Sequence, residues 1–324
     1  MCTAFVLRKK AAYFGRNMDL DVPFGEQVVI TPENYLFPLK NGQAYKTHLA
    51  MIGMAAAAGT YPLYAEAVNE AGLAGAGLNF PGSAVYHDAA EGADNITPYE
   101  LIPWILGQAR SVREARALLK RVNLLAVPFA PDMPLAPLHF IFADREETIV
   151  AEPMADGLHI YEDPYDVMTN NPPFPYHDWN MRGYRRLQTA NGDSTFAPSY
   201  DMAPYAEGMG SMGLPGDPSS ASRFVRTAFS LANAVCEDTE EACVTEAFHI
   251  LDAAAMVQGT VRTAAGGLDI TRYSCCVSME TGTYYYKTYW NNQITAVKLS
   301  SQLRKAKELT VYALRTRQQI LEEN

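Results

Sequence analysis

No apolar run of about eighteen residues occurs in the 324-residue chain, so the sequence offers no helix to span a membrane. Basic charge is scarce. The 26 Lys and Arg stand against 36 Asp and Glu, and a net charge of −10 argues against nucleic acid or an anionic membrane as the main partner. Cysteine is limited to Cys2, Cys236, Cys243, Cys275 and Cys276, an odd count without framework spacing, which predicts reduced thiols and a cytoplasmic setting. Arg8, Lys9 and Lys10 follow the first apolar run instead of preceding it, so no signal peptide is expected. The six histidines include no His-Glu-x-x-His, Cys236 and Cys243 fit no zinc motif, and adjacent Cys275 and Cys276 on a strand would face opposite ways. Neither a metal nor a cofactor is therefore expected. A Gly-x-Ser-x-Gly elbow is missing. Gly208-Met209-Gly210-Ser211-Met212-Gly213 matches a phosphate-binding pattern but neither follows a strand nor opens a helix, so it is rejected as a nucleotide site.

What is present is apolar patterning for an ample core, with 48% hydrophobic residues. Strands are expected over 2–8, 11–17, 26–31, 49–54 and 73–79, the first two as a hairpin across Lys9-Lys10. Gly72, Gly75 and Gly77 suggest close approach of another backbone. Thr97-Pro98 opens one helix, and Ser111-x-x-Glu114 is a capping box for a second. The proline-rich stretch 127–137 reads as a loop, followed by strands over 138–143, 147–152 and 157–161. Helices are expected over 178–188, 220–235 and 239–256, then strands over 270–278, 282–289, 294–298 and 308–315. The long segment 191–220, rich in Gly, Pro, Ser and Asp, reads as functional or interfacial. Strand and helix blocks do not alternate regularly, which disfavours a doubly wound parallel sheet. Two antiparallel sheets with helices outside fit better, as one domain over 1–324.

Chemistry gathers around Cys2. Excision of Met1 would give one residue both a thiol and a free α-amine, groups whose reference pKa values are about 8.5 and roughly 7.7–8.0. Nucleophile and base would then share a residue, the compact form of a Cys–His pair. Pairing in the first hairpin brings Gly15-Arg16-Asn17-Met18-Asp19 beside Cys2, with Arg16 and Asp19 flanking it. A cation favours thiolate, and a carboxylate can orient an ammonium. Asn79, Asn170, Asn171 and Arg223 occupy strand ends or a helix start, and asparagine amides can donate to a developing oxyanion. Taken singly, each is more often a turn, a cap or a surface ion pair.

Together these segments resemble the choloylglycine hydrolases, the bile salt hydrolases and penicillin V acylases among the N-terminal nucleophile hydrolases. The matching stretches are Met-Cys-Thr at 1–3, Phe-Gly-Arg-Asn-Met-Asp at 14–19, Tyr-Pro-Leu-Tyr at 61–64, Asn-Glu-Ala-Gly-Leu at 69–73 and Gly-Leu-Asn-Phe-Pro at 77–81. Thr-Asn-Asn-Pro at 169–172, Gly-Leu-Pro-Gly-Asp at 213–217, Ser-Arg-Phe-Val-Arg at 222–226 and Thr-Tyr-Trp-Asn-Asn-Gln-Ile at 288–294 continue in order. The resemblance implies an α+β fold of four layers, an αββα sandwich of two antiparallel sheets flanked by helices. It implies Cys2 as nucleophile after loss of Met1, Arg16 and Asp19 as residues that hold and tune it, Asn79 and Asn170 as oxyanion donors, and Arg223 as a nearby charge. Asn170 is preferred to Asn171 because the family's asparagine directly follows the threonine; Arg226 is not placed in the site. Asparagine at 79 resembles the bile salt branch, which implies glycine- or taurine-conjugated bile salts as substrate. Met18 and Leu20 are candidate walls of an apolar cleft, and the loop with Phe129, Met133 and Leu135 a candidate lid; core packing is the alternative for each. Segment 191–220 resembles the arm through which family members form tetramers. Acylase activity on penicillin V or N-acyl homoserine lactones is the nearest alternative, and a non-catalytic apolar-ligand binder a remoter one.

Overall fold

The computed structural model describes residues 1–40, 42, 44–45 and 48–324. The first twenty residues build a hairpin of two strands buried on both faces, β1 (Cys2–Arg8) and β2 (Ala12–Leu20), and β3 (Glu26–Thr31) follows. Two short strands, β4 (Phe37–Pro38) and β5 (Ala44–Tyr45), precede the hairpin of β6 (Met51–Ala58) and β7 (Tyr61–Asn69). Next come β8 (Ala74–Asn79), β9 (Asp94–Ile96), α1 (Leu101–Gln108) and α2 (Val112–Leu119). β10 (Val122–Leu124), β11 (Leu138–Ala143), β12 (Thr148–Met154), β13 (Gly157–Glu162) and β14 (Val167–Met168) lead to α3 (Phe174–Met181). After a long irregular stretch come α4 (Ser220–Asn233) and α5 (Glu240–Ala254). The chain closes with β15 (Ile270–Ser278), β16 (Thr283–Thr288), β17 (Asn291–Lys298), α6 (Ser301–Arg304) and β18 (Thr310–Ala313).

Six strands form one antiparallel sheet in the order β14-β1-β2-β15-β16-β17, and eight form another in the order β13-β12-β11-β8-β7-β6-β3-β18. Helices α4 and α5 cover the first sheet, and α1 and α2 cover the second. The result is the expected αββα sandwich. One core fills the space between the sheets and under α4 and α5; a second lies between the eight-stranded sheet and α1 and α2.

Local chemistry explains the helix starts. Ser111 accepts from the Glu114 N–H at 3.3 Å, while the Glu114 carboxylate takes the Arg110 N–H at 2.7 Å, one residue earlier than a standard capping box. Ser219 and Thr239 cap α4 and α5 in the same way, through the Ser222 and Ala242 N–H groups.

Several boundaries depart from expectation. The helix foreseen over 178–188 starts at Phe174, because Pro173 and Pro175 suit a first turn, and it gives way to a 3₁₀ turn over Arg182–Tyr184. β7 was not foreseen; Pro62 within it argues against a central strand. It is tolerated because β8 pairs only with residues 66–68 of β7. Of the three glycines, only Gly72 approaches a backbone more closely than ordinary contact. A Cβ there would lie 2.7 Å from the Met279 carbonyl, and its φ is +86°. Gly75 and Gly77 instead make room for the rings of Phe142 and Phe140.

Candidate active site

Register builds the site. Cys2 pairs directly with Met18, and Ala4 with Arg16, so Cys2, Arg16 and Met18 share the face of β1 and β2 that looks toward the eight-stranded sheet. Thr3, Asn17 and Asp19 share the opposite face, toward α4 and α5. The Cys2 thiol is buried at 2% exposure. Arg16 Nη2 lies 3.5 Å from its sulfur and Met18 Sδ 3.7 Å from it.

Arg16 is itself enclosed. Its Nη2 donates to the Gly77 carbonyl of β8 at 2.8 Å, and its Nη1 to Glu66 Oε2 of β7 at 2.7 Å and to the Ala65 carbonyl. A bulge explains the last contact. Met54 faces Glu66 and Ala55 faces Tyr64, so Ala65 is an extra residue that turns its carbonyl to the guanidinium. Burial works against the Arg16 charge, but the Glu66 carboxylate outweighs it and raises the guanidinium above its ordinary range. Glu66 is fully buried and also accepts from Tyr284 Oη at 2.6 Å and Tyr273 Oη at 2.8 Å. A second bulge, at Arg272, resets β15 so that Thr271 faces Asp19 while Tyr273 faces Met18.

The backbone of Cys2 is held from the other side. Its N–H donates to Asn170 Oδ1 at 2.8 Å, and its carbonyl accepts from Arg223 Nη1. Arg223 also donates to Thr3 Oγ1 at 2.6 Å, to Asn170 Oδ1 at 2.8 Å and to the Pro218 carbonyl at 2.9 Å. Burial lowers the Arg223 guanidinium from its ordinary value, opposed by Asp19 and Cys2. Two donors on Asn170 Oδ1 and one acceptor, the Asn79 carbonyl, on its Nδ2 at 2.8 Å leave a single orientation for that amide. Its second N–H is left over. The Asn79 side-chain amide carries no hydrogen bond among the described residues.

Two buried histidines fix the Thr169–Asn170 backbone. His139 bridges the Glu152 carboxylate at 3.1 Å and the Thr169 carbonyl at 3.0 Å. Burial lowers the His177 pKa, so the neutral ring donates Nε2–H to the Asn170 carbonyl at 2.9 Å. Asn171 points away, its amide donating to the Pro81 carbonyl and Ser83 Oγ. Arg226 also points away, toward the Pro215 carbonyl.

Asp19 does not reach the sulfur's face. Its Oδ1 accepts from Thr271 Oγ1 at 2.6 Å, its Oδ2 is buried without a partner among the described residues, and burial raises its pKa. The Met1 amine donates to the Asp19 carbonyl at 2.7 Å and pairs with Asp269 Oδ2 at 3.2 Å. Among the described residues, no group of three His, Cys, Asp or Glu side chains is placed to hold a metal ion, and no helix is long and apolar enough to cross a membrane.

The expected cleft residues separate. Met18 touches the sulfur, and Leu20 is half-buried against the core. Phe129 packs on Tyr61 and Tyr99 in the outer core. Met133 is exposed and lines a cleft of about 560 Å³ with Phe24, Ala56, Ala57, Leu63 and Leu314; Leu135 is half-buried outside it. Cys2 does not line this cleft.

A family model for linear amide C–N hydrolases of the choloylglycine hydrolase family matches residues 2–312. The chain belongs to this family. A bile salt hydrolase/transferase of Lactiplantibacillus plantarum is 43% identical over 98% of both chains, and one of Clostridium perfringens is 34% identical over 96% of both. A solved structure of a mutant conjugated bile acid hydrolase from Clostridium perfringens superposes over both chains in full, with a TM-score of 0.93 and 33% identity. A penicillin V acylase from Agrobacterium tumefaciens shares the fold at 17% identity, with a TM-score of 0.77 over 96% of this chain and 90% of that one.

Sequence reading missed Glu66, Asp269, His139 and His177. A carboxylate inside the apolar run Tyr64-Ala65-Glu66-Ala67-Val68 was the signal for Glu66. The others carry no local signal.

Proposed function

We propose that this choloylglycine hydrolase cleaves the amide bond of glycine- or taurine-conjugated bile acids with Cys2 as nucleophile. The observation that carries the reading is the Cys2 sulfur 3.5 Å from Arg16 Nη2 while the nitrogen of the same residue sits on Asn170 Oδ1. The thiolate attacks the substrate carbonyl and forms a tetrahedral intermediate. Asn79 and the free N–H of Asn170 stabilise its oxyanion, the α-ammonium of Cys2 protonates the departing amine, and water cleaves the thioester. Arg223 holds the Cys2 carbonyl, and Arg16 holds the sulfur.

The terminal ammonium requires loss of Met1. Two buried carboxylate oxygens without partners among the described residues, Asp19 Oδ2 and Asp269 Oδ1, flank the strand end and suit a new ammonium there. Removing Met1 also uncovers the end of β1. The steroid lies in the cleft lined by Phe24, Leu63 and Met133, whose size suits a small ligand. Leu63 is two residues from Ala65, whose carbonyl accepts from Arg16, so β7 links the cleft to the guanidinium.

The exposed Phe196, Tyr200, Met202 and Tyr205 make segment 191–220 an apolar arm without support from its own core, which fits burial against other copies in a homotetramer. Five free thiols fit a cytoplasmic enzyme. The test is release of amino acid from glycocholate and taurocholate, with penicillin V and an N-acyl homoserine lactone alongside, using protein shown by mass spectrometry to lack Met1. Turnover of conjugated bile salts is expected; turnover of penicillin V or the lactone alone reassigns the substrate. Sedimentation as a monomer would refute the assembly reading.

A further inference from the structure

Arg16 offers Nη2 to the Cys2 sulfur and Nη1 to Glu66, so one guanidinium links the sulfur to a carboxylate on the other sheet. Around Glu66 the described polar side chains all donate: Arg16 from β2, Tyr273 and Cys275 from β15, and Tyr284 from β16. Burial, reinforced by Glu66, pushes Tyr273, Tyr284 and Cys275 well above their ordinary values, so they stay protonated donors near neutral pH. Arg223, Asp19 and Asp269 lie on the helix-facing side of the same sheet end.

A buried ion pair is weak evidence for a stability role, since apolar side chains of similar volume often serve as well. Here the pair is arranged around a third group. Three acceptors from β7 and β8 (Ala65 O, Glu66 Oε2 and Gly77 O) converge on the guanidinium that touches the sulfur. An uncompensated guanidinium at that distance would hold the sulfur as thiolate, and a thiolate that is too stable is a poor nucleophile.

We propose that Glu66 is a positioning residue for the reaction at Cys2, fixing Arg16 against the sulfur and offsetting its charge so that the thiol and its own amine can exchange a proton. The proposal rests on the reading of Cys2 as nucleophile.

The test is Glu66→Gln in protein lacking Met1. It is read by the pH profile of iodoacetamide alkylation at Cys2, located by peptide mass spectrometry, and by kcat and KM on glycocholate. The expected result is an alkylation midpoint lowered by about half a pH unit or more, kcat lowered about tenfold or more, and KM within about threefold. An unmoved or raised midpoint overturns the proposal whatever the turnover. Should Glu66→Gln fail to fold, Tyr284→Phe decides. It deletes the donor at 2.6 Å and concentrates the carboxylate's charge on Arg16, so the midpoint should rise; an unmoved or lowered midpoint overturns the proposal. Cys2→Ala run beside them keeps the two claims apart. An active Cys2→Ala sinks the nucleophile reading, whereas an inactive one with an unmoved Glu66→Gln midpoint sinks only the role of Glu66.

Discussion

Asn170→Ala removes the amide on which the Cys2 nitrogen rests. Two buried groups, the Cys2 N–H and an Arg223 Nη2–H, and the half-buried Asn79 carbonyl lose their partner at once. Each unpaired buried group costs about 1–3 kcal/mol, so the folded state loses roughly 3 kcal/mol if water enters the gap and more if it does not. Against a typical total of about 5–15 kcal/mol, the variant should fold but melt early. Turnover falls for a separate reason. If the free N–H of Asn170 meets the oxyanion, its loss costs about 10²–10³ in kcat. Asn171→Ala is the control, because its amide reaches only the Pro81 carbonyl and Ser83 Oγ at a more exposed position, a loss of about 1 kcal/mol or less. The assay pairs amino acid release from glycocholate with urea midpoints of both variants. The reasoning fails if Asn171→Ala loses more turnover than Asn170→Ala, or if Asn170→Ala stays within about threefold of the parent.

Cys2→Ala should abolish hydrolysis while circular dichroism and the urea midpoint stay near the parent values, because a small apolar group replaces a buried thiol; measurable turnover would refute the assignment. Gly53→Ala places a Cβ 2.0 Å from the Glu66 carbonyl, so β6 and β7 must part, at a cost of about 3 kcal/mol or more; an unchanged urea midpoint would show that the strands give way freely. Asp163 supplies a pH dependence. Burial pushes its carboxyl up to about 8, against the Tyr165 and Val167 N–H donors, so the folded chain keeps a proton that the unfolded chain releases near its ordinary value of 3.8. Its contribution to stability is therefore present at low pH and lost as pH rises from about 4 to about 8. Urea midpoints from pH 5 to 9 should show this downward component in the parent and lack it in Asp163→Asn; parallel profiles would refute it.

Short-range signals were enough for much of this molecule. Two short runs flanking Lys9-Lys10, the first almost wholly apolar, defined the β1–β2 hairpin, and its pairing brings Arg16 and Met18 beside Cys2. Ser111 announced its helix because a cap is written within four residues. Asn170 and Arg223, 53 residues apart, were singled out by their odd local settings and by family resemblance. Their meeting on one amide oxygen was beyond any local rule.

Asp19 flanks the end of β1 beside its backbone and not beside the sulfur. Strand β2 runs on to Leu20, and alternation turns Asp19 to the helix side, away from the sulfur. Phe129 and Met133 likewise look equally apolar in sequence, yet one is packed in the outer core and the other lines a cleft.

Sequence alone thus determined the hairpin that flanks Cys2 and the layer order, because each depends on neighbours in the chain or on a repeated pattern; family resemblance pointed to Cys2 itself as the nucleophile. Tertiary structure decided what the guanidinium faces. Two bulges, one at Ala65 and one at Arg272, turn a carbonyl and a tyrosine toward the space between the sheets, and Glu66 comes from a strand in the opposite sheet. Such a contact is set by how two sheets stack, which no spacing along the chain encodes.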